Sequence, residues 1–123
     1  MPLHVRLLVF VFLLTATACG SSSTPTYGGG GGGGGGCTST SNSITIADFS
    51  FSPSCTTVAL STQVTWTNTG AVSHTTTSDV PGQWDSGVIT ATNTYSHTFN
   101  SAGTFTYHCS NHPSMTASIV VTP

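Results

Sequence analysis

Gly103-Thr104-Phe105-Thr106-Tyr107-His108-Cys109-Ser110-Asn111-His112-Pro113-Ser114-Met115-Thr116-Ala117-Ser118-Ile119-Val120-Val121 is the stretch on which the fold of this chain turns. Its first part alternates strictly. Phe105, Tyr107 and Cys109 fall on one face, and Thr104, Thr106 and His108 on the other. Its last part alternates too, with Met115, Ala117, Ile119 and Val121 set against Thr116, Ser118 and Thr122. A period of two is the signature of a half-buried strand. Two such strands joined by a tight loop bring Cys109 and Met115, both inward-facing, to neighbouring ends of the pair. The loop between them carries His112, so a thiol, an imidazole and a thioether follow one another at intervals of three residues.

Upstream, the same kind of segment recurs. Short runs rich in Thr, Val, Ile and aromatic residues occupy 43–46, 57–60, 63–68, 74–77 and 94–99, and the two runs just described occupy 103–109 and 116–121. Asn68-Thr69-Gly70, Pro81-Gly82 and Ser101-Ala102-Gly103 punctuate them as turns. Val64 and Trp66 share a face opposite Thr65 and Thr67. No helical stripe follows position 36. Seven or eight short strands at this spacing predict an all-β, two-sheet sandwich.

Composition removes several function classes. Charged residues make up 3% of the 123, and Arg6 is the only basic one. Without a basic surface the chain cannot neutralise phosphates, which excludes nucleic-acid binding. The N-terminus reads as an address. Leu7–Leu14 is an apolar run too short to span a bilayer, and Ala16-Thr17-Ala18 is a small-residue cleavage signal, so 1–18 is expected to be a signal peptide. Cys19 follows the cut and resembles the lipidated cysteine of a bacterial lipobox, although Ala16 stands where such motifs usually carry Leu. Residues 19–36, ending in nine consecutive glycines, read as a flexible leash of about 21–25 Å. An exported protein anchored to a membrane through Cys19, in the periplasm or on the cell surface, is the expectation; ordinary secretion is the alternative. The folded domain is then 37–123. A domain of about 90 residues buries only about 60–65% of its unfolded surface and benefits from a staple.

The donor set points to copper. A soft thiolate, two imidazoles and a weak thioether suit that metal. Cys109, His112 and Met115 supply three of these groups, and His74, which follows a turn, supplies the second imidazole. Structural zinc sites prefer more than one cysteine and do not use methionine. The mature chain has four histidines, too few for the trinuclear centre of a multicopper oxidase.

Taken together these segments resemble the cupredoxins, the small blue copper proteins. Ile44-Thr45-Ile46-Ala47-Asp48-Phe49-Ser50-Phe51-Ser52-Pro53 is similar to their first strand and its kink. Val64-Thr65-Trp66-Thr67-Asn68 leads to His74 in the family manner, and Gly103–Cys109 is similar to the strand entering the cysteine ligand. The short Cys109-x-x-His112-x-x-Met115 loop resembles amicyanin more than plastocyanin. The resemblance implies a Greek-key sandwich and one type 1 copper held by His74, Cys109, His112 and Met115. It implies an electron carrier with no substrate turnover, probing transient redox partners through an exposed His112 ringed by Ala71, Val72, Pro113 and Pro81. One departure stands out. Thr75 occupies a position where plastocyanins often have an Asn that ties two ligand loops together, which leaves the rigidity of the ligand loops open.

Cysteine arithmetic completes the reading. If Cys109 holds copper and Cys19 is lipidated, Cys37 and Cys55 are left to pair, as expected of an exported domain. His97 lies on the parity of Tyr95 and Phe99 and reads as a core or edge residue. His108 points away from Cys109 and reads as a solvated strand residue or as a second electron exit. With Asp48, Asp79 and Asp85 and no basic residue, the mature chain offers little electrostatic steering, and a monomer is expected. A copper-delivery module and a structural sandwich without redox role are the alternatives to an electron carrier.

Overall fold

The computed structural model describes residues 36–123. The expected signal peptide at 1–18, Cys19 and all of the expected tether but Gly36 lie outside the described residues.

Alternation translates directly into burial. In β1 (Ser43–Ala47) Ile44 and Ile46 are fully buried, and in β4 (Gln63–Asn68) Val64 and Trp66 are. Tyr107 and Cys109 are buried in β7 (Gly103–Cys109), and Met115, Ile119 and Val121 in β8 (His112–Thr122). The remaining strands are β2 (Ser50–Ser52), β3 (Cys55–Ala59), β5 (Thr77–Ser78) and β6 (Thr94–Thr98). Two four-stranded sheets result, in the orders β2-β1-β4-β6 and β3-β8-β7-β5. Each is mixed: β1 runs parallel to β4 and β3 parallel to β8, while the other neighbours are antiparallel. Parallel neighbours cannot be joined by a hairpin, so the chain crosses between the sheets and closes a sandwich. The fold is the all-β sandwich expected from the sequence.

Trp66 sits at the centre of the core. Its ring lies 5.7 Å from Tyr107, 6.0 Å from Tyr95 and 6.1 Å from Trp84. Its indole N–H donates to the Tyr107 hydroxyl at 3.2 Å, which satisfies the one polar atom that so large a buried ring brings with it. Burial pushes the Tyr107 phenol well above its ordinary value.

A staple holds the N-terminal edge. Cys37 and Cys55 form a disulfide across a sequence separation of 18. The adjoining backbone is tied as well: Thr57 N–H donates to Ser39 O at 2.8 Å, and Cys37 N–H to Thr57 Oγ1 at 2.9 Å.

Three local features differ from the sequence expectation. The first strand and its kink are a hairpin, β1 and β2 turning back at Asp48-Phe49 with Ala47 opposite Ser50. His74 does not begin a strand; it makes an isolated bridge to Ile89, and β5 starts only at Thr77. Finally, β8 begins at His112 rather than near Thr116, because Ser110-Asn111 alone makes the turn and Cys109 already pairs with His112. The seven-residue segment from Cys109 to Met115 is thus largely strand, which fixes its side chains more firmly than an open loop would.

Candidate metal centre

His74 reaches the site through a buried asparagine. Asn68, fully buried at the end of β4, donates through Nδ2 to Val72 O at 2.8 Å and to Ile89 O at 2.9 Å. Its Oδ1 accepts from Gly70 N–H at 3.0 Å. One side chain therefore organises the turn that precedes His74 and the segment that pairs with it. The pairing is reciprocal, His74 N–H donating to Ile89 O at 3.1 Å and Ile89 N–H to His74 O at 2.7 Å. The imidazole ends at 0% exposure.

Cys109 arrives from the other sheet, at the end of β7, where the register shifts between His108 and Cys109. A bulge of this kind re-aims a side chain without ending the sheet. His112 opens β8 immediately afterwards. The Cys109 sulfur lies 3.8 Å from His74 Nδ1 and 3.7 Å from His112 Nδ1, and the three donor atoms all lie within 4.8 Å of one another. Two Nδ1 atoms and one sulfur thus converge. A first-row metal ion bonded at about 2.0 Å to nitrogen and about 2.3 Å to sulfur in a trigonal plane separates the two donor types by about 3.7 Å. The arrangement has the dimensions of a His₂Cys metal site. Burial, and next the proximity of His112, lower the proton affinity of His74, which keeps its ring neutral as a metal ligand must be. Met115 is 4% exposed and lies three residues along β8 from His112, within the same buried cluster as Cys109 and Tyr107.

Thr75 settles the question of loop rigidity that its departure from the family pattern raised. Its backbone N–H points at the Cys109 sulfur at 3.3 Å, and its hydroxyl oxygen accepts from Ser110 N–H at 2.8 Å. Asn111 Nδ2 adds a bond to Ser73 O at 3.3 Å. These hydrogen bonds join the segments that carry His74 and Cys109, and the Thr77 and Ser110 hydroxyls add a further contact at 3.0 Å.

Asp48 and Phe49, at the tip of the β1–β2 hairpin, were not singled out by the sequence reading. The Phe49 ring is 62% exposed, yet it meets the His112 ring edge-on at 4.9 Å and the His74 ring at 6.3 Å. Its backbone is left-handed (φ 68°), a conformation uncommon for a bulky residue. Asp48 Oδ1 stands 3.8 Å from His74 Nε2. Ala71, Val72 and Pro113, expected near His112, are exposed, whereas Pro81 lines a groove with Asp79, Asp85 and His108. His108 and His97 are not part of the cluster. His108 Nδ1 bonds Asp79 Oδ1 at 2.6 Å, and His97 stacks on Trp84 at 5.3 Å.

Residues 38–122 match the model of the copper-binding plastocyanin/azurin family. The chain is a cupredoxin. Solved structures agree. A purple cupredoxin from Nitrosopumilus maritimus is 25% identical, with a TM-score of 0.61 over 65% of this chain and 98% of that one. A reduced variant of amicyanin is 30% identical, with the same TM-score over 65% of this chain and 80% of that one. A copper-containing nitrite reductase from Thermus scotoductus, 24% identical, matches through 22% of its own length and shows the shared fold alone. No curated protein matches the cupredoxin chain in sequence. Family membership and the His-Cys-His cluster support a copper electron-transfer protein.

Proposed function

We propose that this cupredoxin is an exported single-electron carrier that holds one type 1 copper ion through His74, Cys109, His112 and Met115. Copper, cycling between Cu(II) and Cu(I), supplies the one-electron chemistry. The observation that carries the reading is the convergence of two imidazole Nδ1 atoms on the buried Cys109 sulfur at 3.7 and 3.8 Å.

What the protein's own residues do follows from their positions. Cys109, receiving the Thr75 N–H, offers a thiolate in a water-poor setting. His74 is buried and its proton affinity is lowered, and the hydrogen bonds around Thr75 tie together the segments that carry the donors. A scaffold that need not rearrange when charge changes favours fast electron transfer. Met115 gives a soft, weak fourth donor. His112 is half-buried and provides the edge through which partners exchange electrons. Partners are redox proteins met transiently, and membrane attachment runs through a lipid on Cys19.

The test is the visible and redox behaviour of the copper-loaded protein. An intense thiolate-to-copper band with a reversible one-electron couple is expected. A colourless copper complex, or a coloured one that releases copper rapidly without a reversible couple, would refute the carrier reading; the second result would mark a delivery module. Mass spectrometry of the native protein is expected to find acyl chains on Cys19.

A further inference from the structure

His74 Nε2 is buried and has no hydrogen-bond partner among the described residues. In a domain where Trp66, Asn68 and Trp84 all place their buried N–H groups on acceptors, this one is an exception. The ring's other nitrogen, Nδ1, is turned toward Cys109, so Nε2 is the atom that carries the proton when His74 acts as a neutral ligand. An unpartnered buried N–H costs roughly 1–3 kcal/mol. The group that faces it is a carboxylate, Asp48 Oδ1, at 3.8 Å.

The surroundings of that carboxylate are shaped to hold it there. Val72 N–H donates to the same Oδ1 at 3.2 Å. Gly70 passes so close that a Cβ on it would overlap Asp48 Oδ1 and would sit 3.0 Å from the Asp48 backbone nitrogen. Any side chain at position 70 would drive Asp48 off His74. The Gly70 turn is itself fixed by Asn68, the residue that also positions the backbone leading to His74.

We propose that Asp48 is the positioning residue for His74: its carboxylate accepts the Nε2–H, fixes the Nδ1-donating tautomer and sets a negative charge behind the ligand. An Oδ1 about 1 Å nearer the ring would stand at ordinary hydrogen-bond length from Nε2. Ligating histidines commonly have such an outer partner, and it raises the basicity of the ring. A more basic ring and a nearby negative charge both favour the more positive oxidation state of a bound metal. The inference rests on the proposed role of His74 as a copper ligand for its redox part only; the tautomer part is a property of the metal-free protein.

The experiment uses the full mature chain in three forms, wild type, Asp48→Asn and Asp48→Ala, with Gly70→Ala as a variant that displaces the carboxylate without removing it. Nitrogen-15 NMR of the metal-free protein reads the His74 tautomer and the exchange of its Nε2 proton. Wild type is expected to hold the Nε2–H tautomer with slow exchange. Asp48→Ala and Gly70→Ala should exchange on the order of tenfold faster, the loss of one charge-assisted hydrogen bond. Asp48→Asn keeps an acceptor and should stay close to wild type. In the copper-loaded protein all three variants should raise the potential, Asp48→Asn included, because it loses the charge. Equal exchange rates in wild type and Asp48→Ala, or an Nδ1–H tautomer in wild type, would overturn the proposal. So would unchanged potentials in variants that bind copper with a normal blue band. A wild type that takes up no copper refutes the functional reading and leaves the NMR result to decide this one.

Discussion

Replacing Thr75 with Val tests whether the hydroxyl ties the ligand segments together, because the two side chains have nearly the same shape. The change removes the acceptor for Ser110 N–H at 2.8 Å and the contact with the Thr77 hydroxyl at 3.0 Å, and leaves the backbone N–H that faces Cys109 in place. Each lost hydrogen bond is worth about 1 kcal/mol net. The Ser110 residue is exposed, so water recovers part of one, and the added buried methyl returns under about 1 kcal/mol. The net cost is about 0.5–1.5 kcal/mol. For a domain of about 90 residues the unfolding entropy is about 0.18–0.19 kcal/mol/K, which converts that cost to a fall in Tm of about 3–8 °C. With Thr75→Ser, which keeps the acceptor and loses only a buried methyl worth about 0.8 kcal/mol, as the packing control, thermal unfolding of metal-free Thr75→Val followed by circular dichroism gives the measurement. The same variant, copper-loaded, should lose the metal to a chelator faster than wild type. A Tm of Thr75→Val within 2 °C of wild type would show that the hydroxyl does not tie the two segments.

Three other outcomes follow from separate parts of the molecule. Met115→Leu is expected to leave copper bound and to raise the potential, since a soft donor to the metal is replaced by apolar bulk; voltammetry showing no rise would make Met115 a packing residue alone. Changing both Cys37 and Cys55 to Ser should cost about 3 kcal/mol by the chain-entropy estimate for a separation of 18, while the blue band persists, because the disulfide lies at the N-terminal edge; urea unfolding and a visible spectrum check the two halves. Burial lowers the proton affinity of His97, so the unfolded chain takes up the proton first as pH falls below about 6.5, and stability present at neutral pH is lost on acidification. The urea midpoint of the metal-free protein should therefore fall between pH 7.5 and pH 5, and His97→Phe, which keeps a ring against Trp84 and Phe99, should reduce that fall; an identical fall in both proteins would remove His97 from the account.

The parts of this fold that were legible in the sequence are those governed by local rules. Period-two alternation exposed the buried faces of β4, β7 and β8 because one side of each strand packs inward, so Val64, Trp66, Tyr107, Cys109 and Ile119 could be named as core without knowing their partners. The donors His74, Cys109 and His112 were legible because thiol and imidazole are rare here and their chemistry is specific. Where β8 starts was less legible. A stretch containing Asn, Pro and two Ser reads as loop by propensity, and only pairing with β7 draws His112 and Pro113 into a strand.

The surroundings of the donors were illegible for a different reason: they are made by contacts between distant segments. Thr75 looked like a departure from a family pattern, and its function depends on Ser110, which lies 35 positions away in sequence. Asp48 looked like an ordinary acidic residue at the end of a strand. Its meaning comes from His74 behind it and from the bare backbone of Gly70 beside it, neither of which has any periodic relation to position 48. Phe49 reads as a buried aromatic by type, yet a left-handed backbone at the hairpin tip turns its ring outward and onto His112. The proposed ligands are thus dictated by their own chemistry, while the residues that surround them are dictated by where the sandwich puts them. The same distinction says where variation should alter the potential without altering the metal: at the hairpin tip, where Asp48 and Phe49 stand against the histidines, and at position 75, whose backbone N–H faces Cys109.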